Sequence, residues 1–321
     1  METLAALSLV AVYSAMGVYT LAFILFTFDL AKRSADQPAP AARVTESEAS
    51  VQQAGTVSTA VRATTTTDAP PTGATRFQRV AFALALLGWV LHVGATVLRG
   101  VAAGRVPWVN MFEFGLTATA IGMGVFLIAQ VWKDLRFLGA YITGMTVLAL
   151  GIVTVNFYVD VIPLPPALQS VWLVIHVFVA SLATGFFAIG AGLSIMQLLR
   201  TRREMRRAEG LRFLDTLPGA ATLESLAYRV NVVGFVFWTF TLIAGAIWAE
   251  RAWGRYWGWD TKEVWTFIIW TLFAGYIHAR ATRGWRGDRS AWLAIIGFSA
   301  VIFNYTIVNL FFKGLHSYSG L

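Results

Sequence analysis

Apolar residues along this chain gather into long runs free of charge. Stretches 3–28, 80–98, 114–132, 137–159, 161–199, 230–249 and 290–312 contain no Asp, Glu, Lys or Arg, and 264–279 is a shorter eighth. A helix needs roughly 20 such residues to cross a hydrocarbon core of ~30 Å. The pattern predicts an all-α, polytopic membrane protein with about eight transmembrane helices. They fall near 4–28, 80–98, 113–132, 137–157, 170–199, 230–250, 262–280 and 290–312. Composition agrees: 57% of the 321 residues are hydrophobic and 13% charged, about half the charge of a soluble domain.

The formal charge of +8 would suggest nucleic acid in a soluble protein. Here its distribution argues for topology instead. With eight spans the loops alternate between two sides, and 31–79, 133–136, 200–229 and 280–289 hold 19 of the 25 Lys and Arg. The other side holds Arg99, Arg105, Arg251, Arg255, Lys262 and Lys313. Basic residues collect in the loops that stay inside, so both termini are expected outside. The first span, within 1–30, has no basic segment before it and is followed by Lys32-Arg33. It is expected to be an uncleaved N-out anchor.

Residues 34–75, within the loop 31–79, form the one evident linker and are rich in Ala, Thr, Pro, Ser and Gln. Such a segment cannot bury enough apolar surface to fold alone and is expected to be a disordered cytoplasmic loop. In 211–229, Leu217, Leu223, Leu226 and Ala227 recur at helical spacing among charged residues. This predicts a helix lying on the inner face, interrupted near Pro218–Gly219. Pro163-Leu-Pro-Pro166 divides the longest uncharged run into a loop and the fifth helix. The remaining 80–321 is a single membrane domain.

Chemistry has few places to reside. There is no cysteine, which excludes disulfides, thiolate metal sites and cysteine nucleophiles. Four histidines remain: His92, His176, His278 and His316. The densest feature is an outer loop over 251–263, Trp253-Gly-Arg-Tyr-Trp-Gly-Trp-Asp260 followed by Glu263 and Trp265. An aromatic belt and a capping box formed by Asp260 and Glu263 account for much of it. They leave Gly254 and Gly258 unexplained. An aromatic platform with close backbone approach and flanking Arg251, Arg255 and Lys262 suits a large planar ligand with acidic groups, such as a porphyrin with two propionates. His176 should lie ~9 Å inside the outer start of the fifth helix, and His316 should emerge on the same face. Two imidazoles can ligate a haem iron from opposite sides. A histidine at a helix end is also an ordinary interfacial residue, and His92 reads as a helix–helix hydrogen bond, with an intramembrane ligand as its alternative. An intramembrane His278 is a candidate for function, although Arg280 places it near the inner interface. Glu113 can complement the dipole of the third helix, and Asn110 and Glu113 can shape the outer pocket.

The Trp253–Asp260 run resembles the WWD signature of haem-handling proteins. Leu168-Gln-Ser-Val-Trp-Leu-Val-Ile-His176, Arg105-Val-Pro-Trp-Val-Asn-Met-Phe-Glu113 and Gly314-Leu-His-Ser-Tyr318 are similar to segments of the CcsA/ResC branch of system II cytochrome c maturation. The likeness runs from about residue 80 to 321. It implies a multi-pass plasma-membrane protein that works with a ResB/Ccs1-like partner to present non-covalent haem b to the CxxCH segment of an apocytochrome c. It further implies iron ligation by His176 and His316 at the outer site. Trp253, Arg255, Tyr256, Trp257, Gly258, Trp259 and Asp260 would contact or frame the haem there. His278 would belong to an inner haem site completed by the partner. No residue of the chain need be catalytic, since the reacting thiols belong to the substrate. Three rivals stand beside this reading: a haem exporter without bond chemistry, a system I-like delivery protein, and a scaffold whose Trp loop docks a partner.

Overall fold

The computed structural model describes residues 2–36, 75–161, 164, 168–206 and 212–316. Among them it is helical, with no strand. The principal helices are α1 (Glu2–Ala35), α2 (Arg76–Ala103), α3 (Met111–Ala129), α4 (Gly139–Phe157), α5 (Val171–Arg206), α6 (Ala220–Trp253), α7 (Thr261–Ala281) and α8 (Asp288–Phe303). A π-helical turn, Asn304–Val308, and a short helix, Asn309–Phe311, continue α8. All but α7 are long and apolar enough to cross a membrane, and the protein is a multi-pass membrane protein. α7 has the length, 21 residues, but Trp, Thr, Tyr, His278 and Arg280 dilute its apolar run.

Segment 211–229 departs from expectation. Arg212–Thr216 is a 3-10 turn, and Ala220 already opens α6. Pro218 and Gly219 therefore separate a turn from a transmembrane helix, and no surface helix forms over 220–229. The physical reason is that Ala220–Arg229 contains no breaker, so the helix simply continues into the apolar run. α5 likewise extends past the uncharged stretch, and Arg200 and Arg203 at its end both bind Asp215 of the 3-10 turn. The hydrogen bond from Arg203 holds the Asp215 carboxyl below the usual carboxylate range. Residues 37–74 of the expected loop, and Pro163, Pro165, Pro166 and Tyr318, lie outside the described residues.

Small residues bring the helices close, as membrane packing requires. Buried positions of α1 fall at 8, 12, 15, 19, 22, 26 and 29, and those of α2 at 78, 81, 85, 88, 92, 95, 99 and 102. These are nearly strict heptad spacings, and the two helices form an antiparallel pair. Tyr19 lies against Gly88, where a Cβ would stand 2.8 Å from its ring, and Ser8 Oγ donates to the Ala95 carbonyl at 2.8 Å. The α5–α6 seam is built the same way: Asn231 lies on Gly190, Phe187 on Gly234, and His176 on Gly245. At the arginine-rich end, Glu224 of α6 joins Arg280 of α7 at 2.8 Å and accepts from Gly287 N and Ser290 Oγ.

Candidate functional site

The Trp loop begins where α6 stops. Gly254 takes φ 71°, the left-handed cap for which glycine has no Cβ penalty. α7 starts at Thr261, and Glu263 in its first turn reaches back to the loop. Its Oε2 accepts from Gly258 N at 2.8 Å and from Asp260 N at 3.1 Å. That carboxylate grips the backbone on both sides of Trp259, which is held at φ 60°, a conformation bulky residues rarely adopt. Gly258 leaves room for the Arg255 guanidinium, which lies where a Cβ would stand.

Asp260 is the hinge of the site. Its Oδ2 accepts from His316 Nδ1 at 2.6 Å, which ties the end of the chain to the Trp loop. That bond holds the Asp260 carboxyl below the usual carboxylate range. His176, on α5, donates from Nδ1 to the Thr241 carbonyl of α6 at 2.9 Å. A carbonyl and an ionised carboxylate only accept, so Nδ1 carries the hydrogen in both rings and Nε2 keeps the lone pair of the neutral form. Among the described residues neither Nε2 makes a hydrogen bond. Binding the remaining ring N–H in this way is how proteins orient a metal-ligating histidine.

Trp248 joins the two histidines. It stacks with His176 at 5.9 Å between ring centroids and meets His316 edge-on at 5.4 Å. Trp253 packs on His316 at 4.8 Å and on Trp248 at 4.8 Å. Beneath them opens a cavity of about 300 Å³, within the range of ligand sites. His176, His316 and Trp248 line one end, and Tyr141 and Ala188 line it far toward the arginine-rich end. Tyr141 is 16 residues from the Trp-loop end of α4, roughly 24 Å along the helix.

The sequence candidates thus divide. His176, His316, Asp260 and Trp253 converge. Tyr256, Trp257 and Trp259 are exposed, the last by 77%, and none of them lines the cavity. His278 stands exposed on α7, 16 residues and roughly 24 Å along the helix from Lys262. His92 is fully buried and uses both nitrogens, donating to the Leu116 carbonyl at 2.9 Å and pairing with Tyr19 at 3.4 Å. It fastens α2 to α1 and α3. Glu113 does more than complement a helix dipole: it binds Arg99 at 3.1 Å and Arg105 at 2.7 Å in full burial. Asn110 caps α3 by accepting from Glu113 N at 2.9 Å, and also lines the cavity.

Sequence reasoning missed Thr241, Gly245 and Trp248. The glycine spacing along the α5–α6 seam was the available signal. A Cβ on Gly245 would stand 2.8 Å from His176 Cε1 and Nδ1, so the ring would have to leave the Thr241 carbonyl. Gly245→Ala is expected to lower ligand affinity at this site about 10- to 100-fold, as for other lost orienting partners, while the protein still accumulates in membranes. A titration showing unchanged affinity would remove Gly245 from the site.

Residues 108–316 match the family model described as cytochrome C assembly protein. The chain belongs to that family. It is 35% identical over 246 residues to the cytochrome c biogenesis protein CcsA of Guillardia theta, covering 70% of this chain and 80% of that protein. It is 36% identical to the CcsA of Synechococcus elongatus, covering 68% and 81%. The fold is similar to that of a solved cytochrome c heme lyase, CcmF, with TM-score 0.61 and 17% identity, over 94% of this chain and 46% of that one. As a cytochrome c assembly protein, the chain serves cytochrome c biogenesis from within a membrane.

Proposed function

We propose that this chain holds haem b non-covalently between His176 and His316 and presents it for thioether attachment to an apocytochrome c, together with a ResB/Ccs1-like partner. One observation carries the reading: two histidines with Nδ1 fixed and Nε2 unbonded meet one tryptophan at the mouth of a long apolar cavity. Among the described residues no group of three or more His, Asp or Glu could hold a metal ion. Two imidazoles alone leave an iron short of ligands, and a porphyrin supplies the four nitrogens that complete six.

The reaction then follows from the substrate. Each thiol of the CxxCH segment adds across one haem vinyl group, sulfur to one carbon and hydrogen to the other, and no oxidant or reductant is consumed. The chain's contribution is to hold and orient. Its own lack of cysteine keeps the haem from bonding to the carrier. The length of the cavity supports passage of haem toward the Trp loop as part of the same task. Exposed His278 suits an inner site completed by another chain. In this reading 1–30 is an anchor, 31–79 a cytoplasmic loop and 80–321 the haem-handling unit of a plasma-membrane protein.

The test is an optical spectrum of the purified protein, with and without its partner. A low-spin bis-imidazole haem is expected, fully extractable by acid–acetone. Protein that never acquires haem, or haem left on the denatured chain, would refute the reading. The 19-to-6 charge split supports the Trp loop facing outward. In this cysteine-free chain an impermeant thiol reagent applied to intact cells should label Tyr256→Cys and spare Met205→Cys, and the reverse pattern would invert the topology.

A further inference from the structure

Lys262 is placed where a cation is costly. It is the second residue of α7, and the positive end of a helix dipole disfavours a lysine there. Lys262 lines the apolar cavity alongside His176 and His316. Among the described residues it has no ion pair. The two acids beside it in sequence are both engaged, Asp260 by His316 and Glu263 by the backbone of Gly258 and Asp260. The bond that Lys262 does make is to the neutral amide oxygen of Asn309. The Asp260 carboxylate nearby offsets part of that cost, but a buried cation with no direct ion pair is stabilised further by an anion that bonds to it.

Its surroundings form a connected polar strip on an otherwise apolar wall. Asn309 Nδ2 approaches Met111 Sδ at 3.3 Å, and Met111 is followed back along the chain by Asn110. Asn110 is 2% exposed and lines the same cavity, yet its Nδ2 has no hydrogen-bond partner. The π-helical turn Asn304–Val308 immediately precedes Asn309, and such turns often mark functional sites. A cation and an unpartnered amide N–H on one wall both call for an anionic acceptor.

We propose that Lys262 and Asn110 form a carboxylate subsite that receives a haem propionate inside the cavity and sets the rotation of the porphyrin about the His176–His316 axis. Rotation matters because it decides which ring edge, and so which vinyl groups, faces the exit. Lys262 and Asn110 are positioning residues, acting on the ligand's acidic edge while the histidines hold the metal. The proposal rests on the haem reading above.

The experiment compares haem with haem dimethyl ester, whose propionates carry no charge, in titrations of purified protein. Wild type should bind the ester about tenfold or more weakly than haem, the scale of one lost charge-assisted hydrogen bond. Lys262→Met should bind haem as weakly as the ester, with ester affinity unchanged and the bis-imidazole spectrum kept. Lys262→Arg should restore most of the preference, and Asn110→Leu should reduce it by a smaller factor. A Lys262→Met protein that still prefers haem as strongly as wild type would overturn the proposal. Loss of ester binding along with haem binding would also overturn it, since the lysine would then serve the fold. A wild-type protein lacking the bis-imidazole spectrum fails the haem reading itself, a distinct result.

Discussion

Replacing His176 or His316 with glycine is expected to abolish cytochrome c maturation and lower haem affinity by more than about 100-fold. Loss of a partner that merely orients a metal-ligating histidine costs 10- to 100-fold, and here the ligand itself goes. Added imidazole should restore part of both, because the vacated space matches it and the acceptors remain in place. The acceptor at 176 is the Thr241 carbonyl and at 316 the Asp260 carboxylate, and the Trp248 and Trp253 rings remain beside the two spaces. Glycine at 176 weakens α5 by roughly 1 kcal/mol, whereas His316 follows the last helix and escapes that cost. Membrane abundance must therefore be measured beside activity. His92→Ala is the control: it should lower abundance, because the buried bonds that join α2 to Leu116 of α3 and Tyr19 of α1 are lost, without changing the haem spectrum of the protein that remains. Normal maturation and unaltered spectra in both glycine variants would sink the ligand assignment.

The number and order of helices were legible because a bilayer imposes a length of apolar chain that periodicity need not reveal. Which face of each helix is buried was much harder to read. On α2 the exposed residues Leu86, Leu87, Val90 and Val97 are large, while Ala81, Ala85 and Ala95 face the core. This inverts the pattern of a soluble helix, since lipid accepts large side chains and neighbouring backbones demand small ones. The heptad of small residues in α1 and α2 was present in the sequence and carried that information. At the site, His176, His316 and Asp260 could be found because rare polar residues in an apolar chain attract attention. Thr241 enters through a backbone carbonyl and Gly245 through the absence of a side chain, so neither leaves a chemical signature. The WWD run was read as one platform, but Glu263 turns its backbone so that Trp253 faces His316 while Trp257 and Trp259 project outward. Arg99 and Arg105 look like loop charges in sequence. Folding brings them onto one buried carboxylate, a pairing across 14 and eight residues that helix spacing does not predict.

Glu113→Ala is expected to destabilise the protein by about 3–5 kcal/mol, the cost of leaving a buried charge without its partner. Glu113 has no exposed side-chain surface, and Arg99 and Arg105 are 1% and 9% exposed. Arg99 retains some compensation: its guanidinium donates to the Val159 carbonyl at 2.7 Å and lies over the Phe112 and Tyr158 rings. None of these neutralises two guanidiniums, and Val109 N would lose its acceptor as well. Glu113→Gln keeps an oxygen for Val109 but removes the charge, so most of the loss should remain. Thermal unfolding in detergent and steady-state membrane abundance would measure both variants. If the charge is the cause, converting all three residues together to apolar ones of similar volume should recover much of the stability, because the penalty lies in guanidiniums that have lost their carboxylate. The same loop carries Asn110 to the α3 cap and the cavity wall, so the single variants should weaken haem binding too. A triple variant no more stable than Glu113→Ala would show that the carboxylate acts through the loop's backbone and not through its counter-ions.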